Sequence, residues 1–234
     1  QVYTLPVAEK SHIFDVLFVL AVIAMVMGSW YAMKENHLKR MIAYSSVAQV
    51  GYIFLGIGMG TAAGMTAAIF QVMAHAFTKP LLFVSAGGLI RVSGLRGAAH
   101  RAPLAGVGFT VGGLSMIGLP LLGGFVTKLF LAQASLELGW QNLLAFGVLA
   151  ISSVLNALYY LPVILLIWTH GNPLKEELDA GLRQAPCRSK PMDFDLPLPP
   201  SFAVAAVCLM AGVVFLGVFF NPTADLIHQG LALL

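Results

Sequence analysis

The chain alternates long apolar stretches with short polar loops. A helix rises 1.5 Å per residue, so about 20 apolar residues cross a hydrocarbon core of about 30 Å. All but one of the apolar stretches have roughly the length of a single tilted transmembrane helix. The pattern predicts an all-α membrane protein with about six transmembrane helices, which cover residues 13–33, 41–60, 62–90, 103–136, 142–168 and 202–220.

The stretch 103–136 is the exception, because it would be ~50 Å long as one straight helix. It contains Gly118, Pro120, Gly123 and Gly124, and glycine and proline interrupt helices. We therefore predict a discontinuous element here. Two interpretations remain open at this point: one broken helix that crosses the membrane once, or two short helices that cross it twice.

The positive charges of the loops favour the single crossing. Lys and Arg follow the first, third and fifth apolar stretches, whereas the intervening loops have neither. If 103–136 crosses once, all of these charges lie on one side, which the positive-inside rule makes cytoplasmic. We predict cytoplasmic loops at 34–40, 91–101 and 170–200, with both termini outside.

The chain divides into three predicted parts. Residues 1–170 hold most of the transmembrane helices, and residues 171–200 are rich in charge and proline, as expected of a cytoplasmic connector. Residues 201–234 hold the last transmembrane helix and a C-terminal tail.

Composition agrees with the membrane assignment. The chain is 59% hydrophobic and 10% charged, with a mean hydropathy of +0.86, whereas a soluble chain has about 25% charged residues. The net charge is +3, and most of the basic residues lie in short loops between apolar stretches, so a nucleic-acid partner is not expected. Cys187 and Cys208 provide neither a disulfide framework nor metal-ligand spacing, and we expect no metal and no cofactor.

Polar residues inside the third stretch form the first candidate site. Gln71, His75 and Lys79 are four residues apart and share one helix face, with Thr78 beside them. A lysine at the bilayer centre costs roughly 2.5–3.5 kcal/mol, so such residues usually serve an ion or proton pathway. Imidazole, with a reference pKa near 6.5, exchanges protons at physiological pH, and a buried lysine can join it.

Pro80 adds a second feature to this stretch, because it removes a backbone donor and frees the carbonyl of Ala76 close to Lys79. The alternative interpretation of the whole group is a kinked helix whose polar side chains bond to neighbouring helices. The pairing of His75 with Lys79 favours the proton pathway.

Lys128 is the second candidate, since it follows the predicted break by about two turns. Broken helices of transporters place polar groups near the membrane midplane, so Lys128 is interpreted as a gate or terminal proton carrier. The alternative is a lysine that extends its ammonium to the membrane surface. Weaker candidates either line a hydrated path or only pack helices together; they are Tyr44, Ser45, Gln49 and Asn156. His100 and His228 are expected to be solvated.

Four blocks of sequence carry a family resemblance. They are LKRMIAYSSVAQVGY at 38–52, HAFTKPLLF at 75–83, GLP with GFVTK at 118–128, and LNALYY at 155–160. In order and spacing they resemble the antiporter-like subunits of respiratory complex I, of multisubunit Na+/H+ antiporters and of membrane-bound hydrogenases.

The resemblance implies roles for single residues. Lys79 matches the central lysine of the family's hydrophilic axis, His75 the histidine one turn before it, and Lys128 the lysine of the second broken helix, which passes protons toward the outer side. Pro120 matches the helix break. Full members have about fourteen helices in two inverted repeats, and the chain resembles the second repeat with one further helix. We expect either a C-terminal fragment or a first repeat on another polypeptide.

The function implied is a proton-translocating subunit in a bacterial or archaeal cell membrane. Such a subunit has no catalytic chemistry of its own and belongs to a redox-driven translocase or a cation/proton antiporter complex. Expected partners are other membrane subunits, lipid and protons, with Na+ as a further possible ion. The alternative is a non-conducting membrane scaffold. An intramembrane hydrolase would need a nucleophile with a base or a metal set, and the sequence has neither pattern.

Overall fold

The fold is a bundle of α-helices. A computed structural model describes residues 12–92, 95–136, 141–169 and 199–232. Its helices in chain order are α1 (Ile13–Lys34), α2 (Leu38–Gly58), α3 (Ala62–Arg91), α4 (Ala98–Arg101), α5 (Pro103–Ile117), α6 (Gly123–Ser135), α7 (Gln141–Trp168), α8 (Pro200–Val218) and α9 (Phe220–Ala232).

The predicted membrane class is confirmed. Helices α1, α2, α3, α7 and α8 are long and apolar enough to cross a membrane, and α5 is a shorter apolar helix. Helix α3 is central, because it contacts α2, α5, α6, α8 and α9. Helix α1 packs on the outside of α2 and α7, and much of its surface is exposed.

The predicted break divides residues 103–136 into α5 and α6. Ala105 of α5 packs in one core cluster with Leu89, near the end of α3. Leu131 of α6 packs in another cluster with Ala67, near the beginning of α3. The two short helices therefore follow one another along α3, which is the arrangement of one broken crossing and not of two.

The last helices run antiparallel to α3. Val213 of α8 packs with Leu81, and His228 of α9 has its Nδ1 3.4 Å from the Thr66 hydroxyl. The predicted C-terminal tail is thus largely a helix that covers the beginning of α3, and His228 is exposed but hydrogen-bonded. The predicted connector at 171–200 lies almost wholly outside the described residues, so the division into three parts stays a prediction.

The short helix α4 joins α3 to α5 and is fixed to the end of α7. The amide of Gly97 donates to the carbonyl of Leu166 at 3.2 Å. The Nε2 atom of His100 lies 2.9 Å from the carbonyl oxygen of Trp168, and its ring meets the indole edge to face. His100 was expected to be solvated, and it is exposed but held in place by these contacts.

Most of the positively charged residues lie at one end of the bundle. Six of the eight Lys and Arg residues in the described ranges lie at the end of the bundle where α1 and α3 end and where α2 and α5 begin; they are Lys34, Lys39, Arg40, Arg91, Arg96 and Arg101. The other two are Lys79 and Lys128, which lie within helices of the bundle. The loop before α3 is at the opposite end.

The orientation can be measured with cysteine variants in a background without Cys187 and Cys208. Ser93→Cys and Ser189→Cys should react with a membrane-impermeant thiol reagent only after the cell is opened, because the positive-inside rule makes their loops cytoplasmic. Ala62→Cys, at the exposed beginning of α3, is the matched control and should react in intact cells. Labelling of Ser189→Cys in intact cells would instead support two crossings at 103–136.

Candidate functional site

Lys79 lies in the interior of the bundle, where three helices meet. Its side chain is 5% exposed. The ammonium donates to the backbone carbonyl of Ile42 at 2.8 Å and to the hydroxyl of Ser45, both on α2. The Ser45 hydroxyl in turn lies 2.7 Å from the hydroxyl of Tyr160 on α7. Neutral oxygen atoms therefore hold the ammonium, and Ser45 connects it to α7.

No carboxylate takes part in this contact. In the ranges that the structure describes, the acidic residues are Asp15, Glu35 and Asp225: the first two lie at helix ends, and Asp225 is exposed within α9. Asp15 pairs with His12 at the beginning of α1. Glu35 accepts from the amides of Asn36 and His37 just after α1. Among the described residues, the buried lysine thus has hydrogen-bond acceptors but no carboxylate partner.

Gln71 and His75 continue the polar face of α3 away from Lys79. Gln71 is buried and donates to the side-chain oxygen of Gln49 at 2.8 Å. His75 is half-buried and lies one turn before Lys79. The Nδ1 atom of His75 and the Nε2 atom of Gln49 are buried without a hydrogen-bond partner among the described residues. Within the described residues, both atoms keep unused hydrogen-bonding capacity.

Thr78 faces the broken helix. Its hydroxyl donates to the carbonyl of Ala74 at 2.7 Å and lies 3.5 Å from the hydroxyl of Ser115 on α5. Ser115 also accepts from the amide of Gly124 at 3.2 Å, so it fastens the beginning of α6 to α5. Helix α3 continues through Pro80, and the ring there removes one internal hydrogen bond without ending the helix.

The break itself comprises residues 118–122. Helix α5 ends at Gly118, whose φ of 99° lies in the left-handed region that glycine adopts without strain. Leu121 also has a positive φ, of 74°, and the exposed Pro120 lies between them. At Gly124 a Cβ would collide with the backbone oxygen of Ser115, so the close approach of α6 to α5 requires glycine there.

Lys128 caps the C-terminal end of α5, at the break. Its ammonium donates to the carbonyls of Met116 at 3.1 Å and of Ile117 at 2.5 Å. These are among the last carbonyls of a helix, which have no partner within the helix, and a cation is favoured at that end. The ammonium also lies 5.8 Å from the ring centroid of Tyr52. The alternative interpretation, in which Lys128 extends its ammonium to the membrane surface, does not agree with these contacts.

Asn156, on α7, also forms a hydrogen bond with the Met116 carbonyl. Its side-chain nitrogen lies 3.3 Å from the Met116 oxygen and 3.4 Å from the hydroxyl of Tyr52, and its oxygen accepts from the hydroxyl of Tyr159. Tyr52 donates onward to Ser152 at 2.9 Å. Asn156, Tyr159 and Ser152 are fully buried. Asn156, a weaker candidate from the sequence, therefore lies in the polar interior of the bundle.

Tyr44 is separate from this network. It is 39% exposed, and its ring lies 5.7 Å from that of Tyr31 on the outside of the bundle. Its neighbour Ser45 faces inward, as helical geometry requires of the next position around the helix. The structure therefore brings together Lys79, Ser45, Asn156 and Lys128, and it places Tyr44 elsewhere.

Sequence reasoning missed Tyr52, Tyr159, Tyr160 and Ser115 as members of the polar interior. A signal for the tyrosines was present: Tyr159 and Tyr160 follow Asn156 by three and four residues, on the same helix face, and Tyr52 lies seven residues after Ser45. No signal identified the carbonyls of Ile42, Met116 and Ile117, because backbone acceptors are invisible in the identity of a side chain.

A membrane bundle with one broken helix in its interior is the fold expected from the resemblance to antiporter-like membrane subunits. Comparison with known proteins gives the family: the chain belongs to the family described as NADH:quinone oxidoreductase/Mrp antiporter, transmembrane, which residues 2–155 match. The predicted resemblance and the multi-pass membrane location are confirmed.

One curated relative and two solved structures illustrate the match. The chain is 39% identical over 216 residues to the NADH-quinone oxidoreductase subunit N of Desulforudis audaxviator, which covers 89% of this chain and 42% of the relative. The Mrp complex from Dietzia sp. DQ12-45-1b has a chain of the same fold, with a TM-score of 0.76 and 25% identity over 95% of this chain and 47% of that one.

Respiratory complex I from Thermus thermophilus, with bound aureothin, gives a TM-score of 0.64 at 25% identity, over 90% of this chain and 45% of that one. The chain thus spans less than half the length of these relatives. We predicted that the chain corresponds to one half of a larger antiporter-like fold, and the fractions of the relatives that it covers agree with this.

Gly118→Ala should destabilise the break. The alanine would need a left-handed conformation that costs roughly 1–2 kcal/mol, and its Cβ would lie 3.0 Å from Cδ and 3.2 Å from Nζ of Lys128. Thermal denaturation of the purified assembly should show a lower midpoint. Gly87→Ala is the matched control, because a Cβ at this helical position meets nothing within 4 Å and should be neutral or stabilising. Equal midpoints for Gly118→Ala and the parent would contradict this account of the break.

Proposed function

We propose that the chain is a proton-translocating membrane subunit, or half of one, and that His75, Lys79 and Lys128 carry its proton pathway. The main support for this proposal is the neutral character of the atoms that accept hydrogen bonds from the two interior lysines. Both ammonium groups are held by neutral oxygens, and in the described part of the chain no carboxylate is paired with either.

Neutral partners make the charge of a lysine reversible. A buried ion pair that loses one charge leaves the other uncompensated, which typically costs 3–5 kcal/mol. A carbonyl or hydroxyl oxygen that loses an ammonium partner leaves no charge behind. Lys79 and Lys128 can therefore release and regain a proton without stranding an anion in the bundle.

His75 suits the role of the group that exchanges protons with Lys79. It lies one turn away on the same helix, and its Nδ1 is buried without a partner among the described residues. A ring nitrogen can donate or accept, depending on the tautomer. Gln71, paired with Gln49, would orient groups in this part of the pathway without itself titrating.

The complex is proposed from the relatives. Relatives are subunits of NADH-quinone oxidoreductase, and a related chain belongs to an Mrp complex. We infer that this chain works in a multisubunit membrane complex of that type and that other subunits perform any electron transfer. Protons are the proposed ion, with Na+ as the alternative that the antiporter relatives suggest.

A scaffold without conduction is the second candidate, and one observation favours it. Lys79 and Lys128 both bond to backbone carbonyls of other helices, so each also holds the bundle together. The two functions differ in what they need from the side chain: a scaffold needs a positive charge, whereas a proton pathway needs a charge that can be removed.

Arginine variants separate the two functions. In the proton pathway, Lys79→Arg and Lys128→Arg should lower proton pumping almost as far as Lys→Ala, by roughly tenfold or more, because a guanidinium keeps its proton. The assay is pumping or ion antiport in vesicles that hold the complete complex, normalised to the amount assembled. Lys39→Arg, at the exposed beginning of α2, is the control and should pump normally.

Pumping that survives the arginine substitutions would favour the scaffold. Near-normal pumping by both interior arginine variants would leave only an electrostatic or structural role for these lysines. Loss at Lys79→Arg alone would confine proton exchange to α3.

A further inference from the structure

Hydrogen bonds and one ring contact connect Lys79 to Lys128 through buried groups that are not part of the pathway proposed above. From Lys79 the connection runs through Ser45 to Tyr160, and from Lys128 it runs through the Met116 carbonyl to Asn156 and Tyr159. The two branches meet where the rings of Tyr159 and Tyr160 lie 4.8 Å apart. Ser45, Asn156, Tyr159 and Tyr160 are all fully buried, and we call these four residues the tyrosine bridge.

At the Lys79 end, the hydroxyl of Ser45 has one proton and more than one acceptor. It can donate to the Ile42 carbonyl at 2.8 Å or to the Tyr160 hydroxyl at 2.7 Å. An ammonium only donates, so a protonated Lys79 uses a lone pair of Ser45 and turns the Ser45 proton toward one of those acceptors. A neutral amine can also accept, so Ser45 can then donate to Lys79 while Tyr160 donates to Ser45.

Ser45 can thus donate to Tyr160 when Lys79 is an ammonium, whereas a neutral amine that accepts the Ser45 proton leaves Tyr160 as the donor to Ser45. Such a reversal moves no heavy atom far, because hydroxyl protons rotate about the C–O bond. Buried hydrogen bonds polarise one another, so the change at Tyr160 acts on the ring and hydroxyl of Tyr159 beside it.

At the Lys128 end, Asn156 passes this effect to the break. Its oxygen accepts from Tyr159, while its nitrogen donates at 3.3 Å to the Met116 carbonyl that also holds Lys128. A stronger hydrogen bond from Tyr159 to the side-chain oxygen of Asn156 polarises the amide. This changes how strongly the Asn156 nitrogen competes with the Lys128 ammonium for the Met116 carbonyl. The carbonyl thus links Asn156 to the lysine ammonium.

We propose that the tyrosine bridge couples Lys79 to Lys128, so that gain or loss of a proton on α3 changes the hydrogen bonding of the lysine at the helix break. Ser45, Asn156, Tyr159 and Tyr160 are positioning residues in this account, because each acts through a lysine. The inference rests on the proposed function, since it assumes that Lys79 exchanges a proton.

The first test removes single hydroxyls and keeps the rings and helices. Tyr160→Phe and Ser45→Ala should each lower proton pumping of the complete complex by about tenfold, whereas Ser45→Thr retains the hydroxyl and should restore most of it. Tyr44→Phe is the matched control on the outside of α2 and should pump normally. All rates are normalised to the assembled complex.

The second test asks whether the four residues act as one path. Groups that work in series are non-additive when removed together. Tyr160→Phe combined with Asn156→Leu should therefore pump no worse than the poorer single variant. Losses that multiply would mean that the two residues act independently, and they would overturn the bridge.

A purely structural role is separated by the pH profile of pumping. A structural defect lowers the amount of active complex and leaves the shape of the profile unchanged. Loss of the bridge changes the hydrogen bonding of Lys79, so the pH of half-maximal pumping should shift in Tyr160→Phe and Ser45→Ala and stay fixed in Tyr44→Phe. The titratable side chains around this region in the described chain are His75 on α3, Tyr52 on α2, Lys128 on α6, and Tyr159 and Tyr160 on α7.

Lys79→Ala distinguishes failure of the bridge from failure of the proposed function. If Lys79→Ala stops pumping while Tyr160→Phe and Ser45→Ala pump with an unshifted profile, the bridge is wrong and the proton pathway stands. If Lys79→Ala pumps normally, the proton pathway itself is wrong. If Tyr160→Phe does not assemble, the pair Ser45→Ala and Ser45→Thr decides, and equal pumping by the two would overturn the proposal.

Discussion

The structure depends on one constraint: a charged amine in the middle of a membrane bundle must find its hydrogen-bond acceptors in the protein. Lys79 finds them on α2, in the Ile42 carbonyl and the Ser45 hydroxyl. This contact fixes α3 against α2 and, through Tyr160, against α7. A leucine would insert with less cost, so the role we propose for Lys79 rests on what leucine lacks, a charge that can be removed.

The helix break follows from the same constraint. Ending α5 inside the bundle leaves carbonyls without partners, which is tolerable in a membrane only where other protein groups or a wet cavity satisfy them. Lys128 and Asn156 supply donors to Met116 and Ile117, and Gly118 allows the backbone to turn. The break and the lysine therefore form one unit, in which the helix end provides the acceptors that hold a second positive charge.

Much of the fold could be predicted from the sequence, because apolar length and helix geometry fix where membrane helices lie. The limits of α1, α3 and α7 differ from the predicted ones by a residue or so, and the break was visible in Gly118 and Pro120. Helix α9 was missed, since a short amphipathic helix after the last apolar stretch resembles a polar tail. Its contact between His228 and Thr66 joins residues far apart in sequence.

The candidate site was predictable only in part. The spacing of Gln71, His75 and Lys79 placed them on one face, and that spacing is a property of any helix. Which face of α2 looks inward depends on packing, so Tyr44 and Ser45 could not be told apart from composition, and Tyr159 and Tyr160 looked like ordinary aromatic residues. Partners such as the carbonyls of Met116 and Ile42 emerge only when helices distant in the chain are brought together.

The central claim is that Lys79 changes its protonation state during the working cycle, and nitrogen NMR of the complete complex tests it most directly. With lysine side chains labelled with ¹⁵N, an ammonium and a neutral amine give distinct signals, and Lys79→Ala identifies which signal belongs to Lys79. If Lys79 exchanges a proton, this signal should move between the two forms when the complex goes from rest to turnover. A Lys79 signal that stays in the ammonium form in both conditions would contradict it.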